Sequence, residues 1–171
     1  LALLFYIGLE VSMGSWITTY LKSIQCSDEK ASGILSFFWV ALMVGRLATS
    51  QVVKPGMEAN LILVAALVAA AAIFVMIQAK SQTLAALTVI VVGLCFAPMF
   101  PTIVGLTFAK FPAAQHGSVF GTIFAIGLIG GTTIPAWIGS YSRGKSIQKS
   151  LNIAVGASIL LALFGVILGR I

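Results

Sequence analysis

Six uninterrupted apolar stretches, each long enough to cross a bilayer as a helix, leave this chain few ways to fold. They run over residues 1–21, 31–53, 59–79, 84–109, 118–141 and 151–169. A hydrocarbon core of about 30 Å needs about 20 helical residues at about 1.5 Å each. The other spanning design, a closed barrel, requires alternating strands, and these stretches are continuous. The predicted fold class is therefore an all-α membrane protein, a bundle of six transmembrane helices forming one domain over residues 1–171.

Composition supports lipid as the solvent. Hydrophobic residues make up 60% of the chain and charged residues 8%, against roughly 25% charged in a soluble domain. The connections KSIQCSDEK, KPGME, KSQT, KFPAAQH and SRGKSIQK are too short to hold a soluble domain. The ten cations sit singly or in small groups at the ends of apolar runs. That placement suits headgroup anchoring and topology signalling, and it argues against a nucleic-acid partner. No basic region precedes the first run, so a signal peptide is not expected there. The chain opens on Leu1, and the expectation is of a protein entered partway, with a segment missing upstream.

Cys26, Cys95 and His116 make no metal-site pattern, and neither a disulfide nor a cofactor is expected. No nucleophile and base share a run, so no enzyme is predicted. His116 stands alone in a connection and reads as a solvated side chain.

An even number of crossings puts both ends of the chain on one side. That side carries Arg46, Lys54, Lys110 and Arg170. The other carries Lys22, Lys30, Lys80, Arg143, Lys145 and Lys149. Four cations against six weakly favour ends outside the cytoplasm.

Glu10 is the one acid inside an apolar run. A carboxylate at that depth costs several kcal/mol, so it is expected to face a wet cavity. Helical spacing puts Tyr6, Met13 and Gly14 on its face, where a phenol, a carboxyl and bare backbone form a polar notch. Few acids or bases lie at a similar depth to pair with it. Tyr20 reads as an interfacial aromatic, and Trp16 faces either lipid or the cavity. Trp39 suits a lipid face and a sugar platform equally. Arg46 snorkels, or binds carbonyls or an acid, in a gating or structural role.

Pro98 and Pro101 interrupt the fourth run, each removing a backbone donor and freeing carbonyls near Leu94 and Ala97. Broken helices at membrane depth line cavities or pack on protein, which adds Phe100 and Thr102 to the cavity set. In the fifth run Gly117, Gly121 and Ala125, and also Gly127 and Gly131, follow the four-residue period of close helix packing. Phe120 and Phe124 lie on a neighbouring face, and Pro135 kinks or ends the run.

The segments IGLEVSMGSWITTYL, FFWVALMVGRLATS, FPTIVGLTFAKF and IGLIGGTTIPAWIGSYS resemble the seventh, eighth, tenth and eleventh helices of the major facilitator superfamily. The resemblance runs to its fucose permease-like sugar:proton symporters. Its most specific pieces are Glu10 with Trp16, Gly45-Arg46-Leu47, Phe100-Pro101-Thr102, and Gly130-Gly131 with Pro135 and Gly139.

The resemblance implies the C-terminal half of a twelve-helix secondary transporter, with a small polar solute held between the halves. It implies cytoplasmic ends, against the charge count, in a plasma or bacterial inner membrane. The expected substrate or cavity residues are Tyr6, Glu10, Gly14, Trp39, Phe100, Thr102 and Phe124. Arg46, Pro98, Pro101, Gly130 and Gly131 take gating or structural roles. The implied partners are the bilayer, the solute with a proton, and the missing half or a second copy. The loop ATSQVVKPGME lacks the acid and the further glycine of the family pattern. The coupling acids are expected mainly in the other half. The alternative is a non-transporting membrane sensor or assembly protein on the same fold.

Overall fold

The computed structural model describes residues 1–53 and 55–170. Lys54, counted above among the cations on the side of the chain ends, lies outside the described residues.

The chain forms helices α1 (Ala2–Ser23), α2 (Asp28–Val52), α3 (Glu58–Gln78), α4 (Gln82–Phe96), α5 (Met99–Phe108), α6 (His116–Ser142), α7 (Ile147–Ser150) and α8 (Asn152–Leu168). A 3-10 turn, Ala113–Gln115, precedes α6. Paired in line, α4 with α5 and α7 with α8 complete six spans apolar enough to cross a membrane. The chain is thus a multi-pass integral membrane protein.

Local signals explain the boundaries. The second span starts ahead of its apolar stretch because the Ser27 side chain accepts from Lys30 N–H at 3.4 Å, with Asp28 and Glu29 in the first turn. Both features favour a helix N-terminus. Ser146 starts α7 in the same way. At the C-terminus of α1, Cys26 N–H donates to the Leu21 carbonyl at 3.1 Å and Gln25 N–H to the Lys22 carbonyl at 3.0 Å. This is a Schellman cap, and it holds Gln25 at φ 62°, in the left-handed region that favours glycine.

The fourth span breaks where the prolines stand. Pro98 caps α5, and Pro101 falls in its first turn, where a missing N–H breaks no intrahelical bond. Pro135 acts differently: α6 runs through it to Ser142.

The core is organised around α1, which packs on α6, α8 and α2, while α3 packs on α8 and α4. Bare backbone sets two of the crossings. A Cβ on Gly130 would strike the Leu4 carbonyl of α1, and one on Gly93 would lie 2.7 Å from the Phe38 carbonyl of α2. Gly127 and Gly131 join the α1–α6 contact against Ile7. The stripe of Gly117 and Gly121 does not: added Cβ atoms there would meet nothing within 4 Å.

Three aromatic expectations are corrected by packing. Tyr20 is fully buried, and its hydroxyl donates to the Met76 carbonyl of α3, so it ties α1 to α3 instead of lying in an interfacial belt. Trp16 lies between α1 and α6, its Nε1 donating to the Pro135 carbonyl at 3.1 Å and its ring covering Gly139. His116 is not simply solvated. It stacks on Phe108 at 4.3 Å, and its Nε2 lies 3.1 Å and 3.0 Å from the Phe108 and Phe111 carbonyls.

Candidate functional site

Helical spacing stacks Tyr6 and Glu10 on one face of α1, and α2 runs beside it. From α2, Arg46 reaches both. Its Nη2 donates to the Tyr6 hydroxyl at 2.9 Å and lies 3.3 Å and 3.5 Å from the two Glu10 carboxylate oxygens. Of the alternatives open to Arg46, the structure has it binding an acid, and Glu10 finds a base where few were expected. The base is Arg46, from the neighbouring helix. The side chains are 19% exposed for Glu10 and 38% for Arg46, so the pair is only partly withdrawn from its surroundings.

One nitrogen serves all three contacts. Arg46 Nε is buried and has no hydrogen-bond partner among the described residues. The bridge is therefore not the two-pronged arrangement that gives arginine–carboxylate pairs their strength. Aromatic rings complete the enclosure. Tyr6 meets Phe96 and Phe100 at ring distances of 6.1 Å each, and the Arg46 guanidinium lies 5.8 Å from the Phe100 centroid, within cation–π range.

Arg46 also lines a cleft of about 490 Å³ between α2 and α5, with Thr49, Ser50, Phe100, Pro101 and Thr102, and with Glu58 from the start of α3. Tyr6 and Glu10 are not in its wall. Arg46 connects them to it. The break at Pro98 sets α5 as a separate wall of this cleft. Thr49, Ser50 and Glu58 had no place in the sequence reading, although Thr49 and Ser50 lie one turn beyond Arg46, a spacing that puts them on its face. Glu58 accepts from Gly56 N–H at 2.7 Å.

Other sequence candidates lie elsewhere. The notch at Gly14 is filled. Trp39 lies across it, 2.9 Å from where a Cβ would stand, and meets Phe38 edge-on at 5.0 Å. Phe124 belongs to a separate aromatic row, stacked on Phe120 at 5.4 Å, which in turn meets Phe108 at 6.4 Å. Gly130 and Gly131 shape the α1–α6 crossing.

The fold and this site define a polytopic membrane protein with an intramembrane acid–base pair beside a broken helix. No family model matches the chain, and no solved structure does. Curated proteins do. The chain is 27% identical over 165 residues to a protein named glucose/galactose transporter in Brucella abortus, covering 95% of this chain and 39% of that protein. It is 30% identical over 175 residues to bypass of stop codon protein 6 of Saccharomyces cerevisiae, covering 96% of this chain and 35% of that protein. The chain thus spans well under half the length of the curated relatives it matches.

Proposed function

We propose that this chain acts as the C-terminal six-helix half of a major facilitator superfamily transporter. With a second half it moves a small polar solute, a sugar or related metabolite, by alternating access. The observation that carries this reading is the Tyr6–Glu10–Arg46 cluster where it meets the cleft beside the broken fourth span. An ion pair is costly at membrane depth and persists where it serves a solute or ion path. Interrupted helices recur at transporter binding sites. The similarity to a glucose/galactose transporter along nearly the whole chain supports a sugar as the solute. It also supports the resemblance carried by the sequence motifs.

In this reading Phe100 and Thr102 face the solute path, Glu10 reaches it through Arg46, the fully buried Tyr6 supports that pair, and Trp39 borders the path. Arg46 gates it by holding α1 to α2. The membrane is a plasma or bacterial inner membrane with cytoplasmic chain ends, and symport with a proton belongs to the same proposal. The test is uptake of labelled hexoses into proteoliposomes containing the full-length protein. Glucose or galactose uptake that falls at least tenfold in Glu10→Gln, with the protein still folded, is the expected result. No uptake across a broad panel of sugars and metabolites would overturn the proposal.

A further inference from the structure

Away from the Glu10–Arg46 cluster, α6 and α8 both pack on α1 but touch each other little. Between them lies a groove of about 420 Å³. Phe5 of α1 floors it, held by stacking on Phe164 at 5.7 Å. Ile134 and Trp137 form one wall; Ile153, Gly156 and Leu160 form the other. The lining is almost wholly apolar, Trp137 is 64% exposed, and a Cβ on Gly156 would meet nothing within 4 Å. From Ile153 to Leu160 the wall extends about 10 Å along the helix, a trough suited to an extended hydrocarbon chain.

Charge at one end distinguishes this trough from an ordinary lipid-facing surface. The connection between α6 and α8 carries Arg143, Lys145 and Lys149 and no acid. Lys149 stands in α7, just ahead of the start of α8, and Tyr141 lies one turn after Trp137, so both stand at one end of the groove. Lys145 folds back over the Tyr141 ring, its Nζ 4.1 Å from the centroid. Arg143 and Lys149 have no ion-pair partner among the described residues. Of the acids on that side, Asp28 is held by Lys22 at 2.9 Å. Both Asp28 and Glu29 sit on α2, which packs on α4 and α1. Cations at headgroup depth above an apolar trough match a ligand with an anionic head and a hydrocarbon tail.

We propose that the α6–α8 groove binds an anionic phospholipid, with one acyl chain along Trp137 and Gly156 and its phosphate at Lys145 and Lys149. Arg143 adds a third cation at the mouth. A protein helix seated there would cover the trough but leave this charge uncompensated unless it brought its own acids.

The test is native mass spectrometry of the purified protein with equal amounts of dioleoyl phosphatidylglycerol and dioleoyl phosphatidylcholine. Two contacting cations predict a preference of about thirtyfold for the glycerol lipid. Arg143→Gln/Lys145→Gln/Lys149→Gln should bring the ratio near one while a lipid is still retained. Gly156→Leu, whose side chain enters open space, should remove the bound lipid of either kind. Thermal melts of both variants confirm that they fold. Equal retention of the two lipids by the unaltered protein would overturn the proposal. So would a preference untouched by the triple substitution, or lipid retention unchanged by Gly156→Leu. A dimer lost on Gly156→Leu would assign the groove to a second copy instead.

Discussion

Arg46 Nη2 stands 2.9 Å from the Tyr6 hydroxyl and 3.3 Å from the nearer oxygen of Glu10, so a single nitrogen joins α2 to two successive turns of α1. Removing one charge from such a pair leaves the other unbalanced, while removing both does not. Arg46→Met should therefore destabilise the protein by about 1–2 kcal/mol, the range being modest because the pair is partly exposed. Glu10→Gln/Arg46→Met should recover most of that loss. Melting temperatures in one detergent measure the cycle. A double variant less stable than Arg46→Met would mean that the charges do not stabilise each other.

Gln25 adopts a conformation that costs an L-residue with a Cβ about 1–2 kcal/mol. It does so as the residue following the C-cap of α1, held by the two hydrogen bonds of the Schellman cap. Gln25→Gly should then stabilise the protein by about 1 kcal/mol, after the greater freedom of glycine in the unfolded chain is deducted. A lowered melting temperature would show that the Gln25 side chain contributes more than its backbone costs.

Gly130 and Gly121 sit on the same helix in opposite circumstances. Gly130→Ala should be severely destabilising, by several kcal/mol, because the new methyl meets the Leu4 backbone, which cannot move aside as a flexible side chain would. Gly121→Ala adds its methyl to open space and gains helix propensity, so its effect should be neutral to stabilising by up to about 1 kcal/mol. Comparable losses at both positions would contradict the α1–α6 crossing described here.

Trp16 donates to the carbonyl of Pro135. Trp16→Phe keeps the aromatic bulk against Gly139 and deletes the donor. A cost of about 1 kcal/mol is expected, readable as a shift in chemical denaturation. No change would mean that the ring alone anchors the contact.

The spans and the break in the fourth were legible because each rests on local chemistry: apolar length, and proline without a donor. What the sequence left unread was mostly a matter of which helix lies beside which. Arg46 was open to snorkelling or to binding carbonyls or an acid, and its union with Glu10 depends on the rotation of α2 about its axis, which no local pattern specifies. Tyr20 shows the same limit. Near the end of an apolar run beside Lys22 it matches an interfacial tyrosine, yet α3 passes close enough to offer the Met76 carbonyl. Gly14 resembled an open notch only because Trp39, twenty-five residues on, could not be placed against it.

The interruption at Pro98 divides one span into members of unequal attachment. The longer, α4, is clamped by α2 and α3; the shorter, α5, is ten residues long and borders the cleft. Ten residues make a rod of about 15 Å. A swing of about 10° at the joint would carry its far end by about 2.6 Å, from the same rod length, while α4 stayed at rest. Such a swing would widen or narrow the mouth of the cleft at Ala109, and it would have to slide α5 along α3 and α1, on which it packs.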